Sequence, residues 1–551
     1  EFYERVPKEN LPVWVGEQYL EFHRGTYTTQ ARVKSLHRQL EHVLVESETA
    51  ATLAFVLNGQ PYPNEQLHRL WEALLLNEFH DILPGSSIHS VYQTAHVQLS
   101  ASLEESARLR TAALAGLSAE TRLAPAENRG SIWNLDLFDR LLVGEIPVDA
   151  DKELQLLTAD GREIPNQRLD GNRILLEAEG ITVPALGAVS VAALERPQTA
   201  VSTPLMATTR ELENRYLRVR FREDGGLASI HEKESGREVL AGPGHQLWLY
   251  TDLPRQFDAW DIDSTYVEEG VELVPSSPPV LTEGGPLRAS LQVAYRHDAI
   301  EIVQTYRLRR LSRFLEIHNS VHWSGRRRML RAIIPLEIRT HEMWAETAFG
   351  AVARLNNQNT PWDQARFEVP AHGWIDLSEP SYGVSVLNNG KYGHSANGNV
   401  LGISLLRSPI YPDPYADEGD HEFLYAIYPH RGTWRNGTVR AAKELNRPLR
   451  YIGGCSASPG DSLLQLRGDP LELSCFKRLE DSDDVLVRLY EPHGDRGSCI
   501  LQSALDIERA AVVNILEEQS EDLKVEDRRR VTLPFTPFQV ISVRLSFGRR
   551  K

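Results

Sequence analysis

His80 and Asp81 stand side by side at the end of an apolar run. They follow Leu74-Leu75-Leu76-Asn77-Glu78-Phe79 and precede Ile82-Leu83-Pro84-Gly85-Ser86-Ser87. An imidazole can ligate a divalent metal, and a carboxylate beside it can orient the ring or accept a hydrogen bond from a ligand hydroxyl. A His in that place also serves simply as a C-terminal cap beside the helix dipole. A second ligand at close spacing is missing, so any metal held there needs partners from distant positions. Pro84 and Gly85 stop the helix, and Ser86-Ser87 are placed to cap the next one.

A second chemical stretch follows the strand-like run Val13-Trp14-Val15-Gly16, where Glu17, Glu21, His23 and Arg24 cluster. Charged groups just past a strand end are where catalytic groups sit in α/β enzymes. A solvated loop with a salt bridge is the simpler reading. Three later segments set aromatic rings beside carboxylates: Phe257 to Asp263, His372 to Asp376, and Arg407 to His421 with Asp413, Asp417 and Asp420. Such pairs suit sugars, which offer apolar faces and hydroxyl edges. Asp-rich loops at sandwich corners look the same.

Other chemistries are poorly represented. His231-Glu232, His341-Glu342 and His421-Glu422 each lack the second His of a zincin helix, and His493-Gly494-Asp495 reads as a Gly-rich turn. No G-x-S-x-G elbow, P-loop or G-x-G-x-x-G after a strand stands out, which weakens serine hydrolysis, phosphoryl transfer and dinucleotide redox chemistry.

The elements that must position these residues change character along the chain. Val33, Leu36, Leu40, Val43 and Leu44 recur at helical spacing from Thr28 onward. Asn58 to Asn64, rich in Gly and Pro, breaks that helix. A second carries Leu67, Leu70, Trp71, Leu74 and Leu75, and a third starts after Ser87 and runs to about Ala119. Three antiparallel helices make a bundle over 28–120. After Ala124-Pro125 short β-rich runs separated by Gly and Pro predict a small all-β unit over 125–198, a large β-sandwich over 205–450 and a C-terminal β domain over 451–551. The fold class is therefore multidomain α + β, a three-helix bundle followed by antiparallel β-sandwich domains.

With 551 residues, 41% hydrophobic and 25% charged, the chain is long enough for several ordinary globular cores. The formal charge of −16 argues against a general nucleic-acid or membrane-surface binder. Three cysteines, Cys455, Cys475 and Cys499, form neither a disulfide framework nor a zinc motif and point to a reducing, cytoplasmic setting. No apolar run reaches the roughly 18–20 residues of a membrane span. A homo-oligomer is compatible with the sequence. The chain opens on Glu1 rather than Met, as expected of a fragment or processed product.

Taken together, the motifs Val15 to Thr28 and Leu75 to Ser86 resemble those of the family-38 glycoside hydrolases, the retaining, zinc-dependent α-mannosidases, in their bacterial and cytosolic branch. Phe257–Asp263, Ala348-Phe349-Gly350, Tyr382-Gly383-Val384 with Leu387-Asn388, and Arg407-Ser408-Pro409 through His421 extend the resemblance over essentially the whole chain. It implies a mutarotase-like supersandwich for the large β domain and a mannose-containing oligosaccharide as substrate. His80 resembles the fourth zinc ligand, and Asp81 the carboxylate that contacts mannose hydroxyls. Glu17 matches the general acid/base best, with Glu21 in reserve, and Arg24 and Tyr27 shape the pocket. The family's His-x-Asp pair, and the Asp that is both zinc ligand and nucleophile, have no counterpart before Leu11. Residues 1–27 are thus expected to be the tail of a catalytic domain that supplies the other ligands, and the fragment alone is expected to be inactive. A non-catalytic carbohydrate-binding or scaffold protein is the alternative.

Overall fold

The structure is a computed structural model that describes residues 2–9, 11–14, 16–19, 21–119, 129–148, 153–201, 203–454, 456–457, 462–468 and 471–548. Cys455 lies outside them; Cys475 and Cys499 are not in a disulfide.

Three helices form the bundle: α1 (Ala31–Asn58), α2 (Asn64–Asn77) and α3 (His89–Gly116). The apolar spacing explains their packing. Val33, Leu40 and Leu44 of α1 close against Leu70 and Leu74 of α2 and Tyr92, Ala95 and Leu99 of α3. The far half of α1 buries a different face. Ala50, Leu53 and Ala54 join Leu114 of α3 in the core of the C-terminal β domain. α1 therefore belongs to two cores. Both of its ends are closed by specific groups. The Asp417 carboxylate accepts from Gln30 N at 2.9 Å and Ala31 N at 2.7 Å, placing a negative group at the positive end of the helix. Gly59 ends it in the left-handed region at φ 67°, donating back to Phe55 O.

The small β unit pairs Arg129–Asn134 with Gly187–Glu195 and Arg140–Pro147 with Arg173–Val183, over a core that includes Ile132, Leu156, Ile174 and Leu176. It does not end near Arg196. Arg450–Gly453 returns to pair with Gly130–Trp133, so the boundary expected at 451 falls inside a strand of this unit. Sequence order concealed that return, because the strand and its partner are separated by the entire large sandwich.

The large domain places a nine-stranded antiparallel sheet against a six-stranded one, with a five-stranded meander over Met206–Glu238. Ile300–Arg309 alternates buried and less buried residues along its length, as a sheet with one face in the core requires. Val219 pairs with Ile230 across the turn expected at Arg222–Gly226. In the C-terminal domain a four-stranded sheet faces a five-stranded sheet around Phe476, Val487, Leu501, Leu533 and Val543. Of the strand expected at Val13–Val15, Val15 lies outside the described residues. Val13 and Trp14 are irregular and exposed, and no strand pairs with them among the described residues. No helix among the described residues is long and apolar enough to cross a membrane.

Candidate active-site corner

α2 ends at Asn77, and the chain turns tightly through Phe79–Gly85, with Ile82 N donating to Phe79 O at 2.8 Å and Gly85 N to Ile82 O at 3.0 Å. Gly85 sits at φ +90°, and a Cβ there would lie 2.6 Å from Thr29 O, so this position needs glycine twice over. The turn is pinned to the start of α1 by Lys34. Its buried Nζ donates to Thr29 O at 2.5 Å and Leu83 O at 2.7 Å. Burial pushes this amine down to about 7, against the favourable charge of Asp417.

His80 projects from the turn with its side chain 77% exposed, and its Nε2 lies 3.4 Å from Asp81 Oδ2. The Phe79 ring flanks the imidazole at 4.3 Å between centroids. Behind them Tyr92 OH donates to Asp81 O at 3.2 Å and accepts from Ser87 N at 2.7 Å. The expected Ser86-Ser87 cap is not made. The N-cap of α3 is Ile88, without a side-chain cap; the helix starts one residue past Ser87, and Ser86 Oγ is buried without a hydrogen bond. Leu75, Leu76, Phe79 and Ile88 give the corner an exposed apolar rim.

The N-terminal stretch is held by the large sandwich instead. Gly25 N and Thr26 N donate to Trp260 O at 2.8 and 3.2 Å. The Arg24 guanidinium is buried. It pairs with Asp261 at 3.1 Å, donates to Ala365 O at 3.1 Å, and lies 4.8 Å from the centre of the Phe367 ring. It also borders an open groove of about 610 Å³ with Phe22, Asp263 and Gln364.

Glu17 is gripped by Arg354 through two bonds of 2.6 and 2.8 Å. Burial alone would raise its pKa, but the hydrogen bond and charge of Arg354, followed by the charge of Arg366, hold the carboxyl below its usual range. A carboxylate so held is a poor proton donor. Tyr27 is pushed up to about 12, first by burial and then by the Glu17 charge. Glu21 is exposed, with its carbonyl 3.2 Å from His23 Nδ1. The two motifs thus belong to different bodies, joined along the Thr29–Ala31 seam.

That seam depends on residues that were visible in the sequence only as a corner cluster. Arg407, fully buried, pairs with Asp252 at 2.7 Å and donates to Thr29 Oγ1 at 3.0 Å and Ala259 O at 2.9 Å. Asp258 accepts from Ile410 N at 2.7 Å, and Asp413 from Gln30 Nε2 at 2.8 Å, with His89 Nδ1 3.0 Å away. Asp413 and Asp417 are therefore buried organisers of the α1 start. Their sequence signal was an Asp-rich loop, and no spacing rule links such a loop to a helix almost four hundred positions earlier. The His493-Gly494-Asp495 turn is formed as read, its three backbone N–H groups donating to the Glu491 carboxylate at 2.7–3.0 Å.

No group of three or more His, Cys, Asp or Glu side chains among the described residues is arranged to hold a metal ion. The donors present do not by themselves fit a zinc centre. His80 supplies one exposed imidazole and Asp81 one carboxylate.

The alpha mannosidase middle domain matches residues 21–117, the glycosyl hydrolases family 38 C-terminal domain residues 212–415, and the family 38 C-terminal beta sandwich domain residues 470–543. Human Alpha-mannosidase 2C1 is 33% identical over 563 residues, covering 98% of this chain and 51% of that protein. The Saccharomyces cerevisiae Alpha-mannosidase is 30% identical over 587 residues, covering 99% of this chain and 50% of that protein. The chain spans about half the length of the curated relatives it matches. A solved structure of an alpha-mannosidase from Enterococcus faecalis V583 shares the fold at TM-score 0.82 and 16% identity, covering 99% of this chain and 71% of that one. The three domains fall in order on the bundle, the large sandwich and the C-terminal sheets, and the chain belongs to family 38 of the glycosyl hydrolases.

Proposed function

We propose that this chain is the C-terminal portion of an α-mannosidase that releases terminal α-linked mannose from oligosaccharides with retention, in the cytoplasm. The observation that carries the reading is the identity to α-mannosidases along almost all of the chain. Within that enzyme His80 contributes one ligand to a zinc ion, and Asp81 accepts hydrogen bonds from sugar hydroxyls. Their exposure beside an apolar rim suits a site completed by residues from another body.

Retaining hydrolysis needs two carboxyl groups about 5–5.5 Å apart, one to attack the anomeric carbon and one to protonate the leaving oxygen. The attacking carboxylate is not assigned to this sequence. Of the two acid/base candidates, Glu21 is open to solvent, whereas Glu17 is committed to Arg354. Glu17 is better suited to holding the N-terminal stretch against the Gly350–Leu355 strand, with Arg24 and Tyr27 as positioning groups.

The test compares the purified 551-residue chain with the longer enzyme on an aryl α-mannoside. The chain alone should give no turnover and bind little zinc. In the longer enzyme, His80→Ala should lower zinc content and reduce kcat/KM at least about a hundredfold, while Glu21→Gln should suppress turnover with zinc retained. Strong activity of the chain by itself, or full activity of the His80→Ala enzyme, would overturn the reading. The same His80→Ala change in the isolated chain should alter stability by less than about 0.5 kcal/mol, because the ring is exposed.

A further inference from the structure

A second cavity lies apart from the His80–Asp81 corner. It is a crevice of about 620 Å³ where α1 and α2, the Thr347–Phe349 tip of the nine-stranded sheet, and the Glu472–Arg478 and Val485–Tyr490 strands of the C-terminal domain meet. Its volume is within the range of small-molecule sites, about 300–1,000 Å³, and such sites favour the meeting of domains. Neither His80 and Asp81 nor Glu17 and Glu21 line it.

The wall chemistry narrows the ligand. Most of its cations are already matched by carboxylates. Arg38 pairs with Glu41 at 2.6 Å, Lys443 with Glu472 at 2.7 Å, Lys477 with Glu517 at 2.7 Å, and Arg447 with Asp136 at 3.4 Å. Arg488 donates to Ser542 Oγ at 2.9 Å. An anionic ligand entering here would have to break these pairs or remain unmatched, which is costly away from water. Hydrogen-bonding capacity remains beside these pairs. The buried Arg447 Nε, on a guanidinium whose charge Asp136 matches, has no hydrogen-bond partner among the described residues, and Asn446 Nδ2 is spent on backbone carbonyls, leaving its own oxygen to accept. Glu48 is buried, with Trp71 Nε1 donating to it at 3.1 Å, and burial pushes its carboxyl up to about 7. Burial likewise keeps the His372 ring neutral, down to about 3. Trp71, Tyr62 and Phe349 supply ring surface. Phe349 is 43% exposed at the mouth, held at φ 59° with its ring against Tyr490 at 5.8 Å.

We propose that this crevice is a second, non-catalytic binding site for a neutral saccharide of one or two units, with hydroxyls meeting the unspent donors and acceptors and C–H faces meeting the rings. The proposal is independent of the role given to His80 and Asp81. A protein without mannosidase activity would still carry the crevice.

The experiment is saturation-transfer NMR on the 551-residue chain with an α-linked mannobiose, and with glucuronic acid and glucose 6-phosphate as charged comparators. Saturable binding of the neutral sugar is expected, with a Kd on the order of 1 mM. Trp71→Ala and Phe349→Ala should each weaken it at least tenfold, and His80→Ala should leave it unchanged. Phe349 is exposed, so its variant keeps the test valid if Trp71→Ala unfolds. No saturable binding up to tens of times that concentration would overturn the proposal. So would binding that survives loss of Phe349, or tighter binding of either charged comparator. Binding lost with His80→Ala alone would place the sugar at the corner and reject the crevice, leaving the proposed function standing.

Discussion

Glu48 shows how one buried carboxyl records the cost of its own charge. Burial raises it from an ordinary 4.5 to about 7, although Lys477 and the Trp71 indole favour the charged form. Between those two pH values the folded chain keeps a proton that the unfolded chain has released. Stability therefore falls as pH rises through that window and levels off above it. Glu48→Gln keeps an acceptor for Trp71 and removes the charge. Its unfolding free energy from urea titration should match the parent at pH 4.5 and exceed it at pH 8, by on the order of 2–3 kcal/mol for the region that unfolds with α1. A parallel pH dependence in the two proteins would refute this. At this same scale the sequence was legible where chemistry is local. His80 and Asp81 stood out because a titratable pair at an apolar helix end is unusual, and the structure places them in the open at that end. The tie between Glu17 and Arg354 was not legible, because its two halves are far apart in the chain and only folding brings them within 2.6 Å.

Among the elements, the three helices could be read from apolar spacing alone, and the strands from alternation and turn residues. What escaped were the groups that fix their ends. The α1 start depends on a carboxylate from a distant loop, and the residue before the α3 N-cap donates its backbone N–H to Tyr92 OH rather than capping the helix. The Phe79–Gly85 turn offers a direct measurement of such a fixture. Gly85→Ala places a Cβ against Thr29 O and strains a left-handed residue. It should destabilise the corner by about 2–3 kcal/mol. Hydrogen exchange at Ile82 to Gly85 should accelerate about 30-fold or more, while the middle of α1 stays protected. Equal acceleration along α1 would mean that the corner and helix are one cooperative unit.

Over the whole molecule, Glu46 ties α1 electrostatically to α3 and to the small β unit. It sits buried in α1 and is gripped from one side by Arg110 of α3 and from the other by Arg450, at 2.9 Å, of the strand that returns to the small β unit. Opposed by burial, those arginine charges still hold its carboxyl below the usual range. Glu46→Gln leaves two guanidinium groups facing an uncharged amide. It should cost about 2–4 kcal/mol. In calorimetry the small β unit should then unfold as a separate, earlier transition, and a single unsplit peak at the parent temperature would contradict the tie. The same helix has a mechanical consequence. α1 is an unbroken rod of about 40 Å at 1.5 Å per residue, seated at one end in the C-terminal core and pinned at the other to the turn that carries His80. Each degree of tilt about the far seat would carry the near end by about 0.7 Å, more than the roughly 0.5 Å tolerance of a working site. The C-terminal sheets that seat the far end of α1 thereby limit how far the turn carrying His80 can shift.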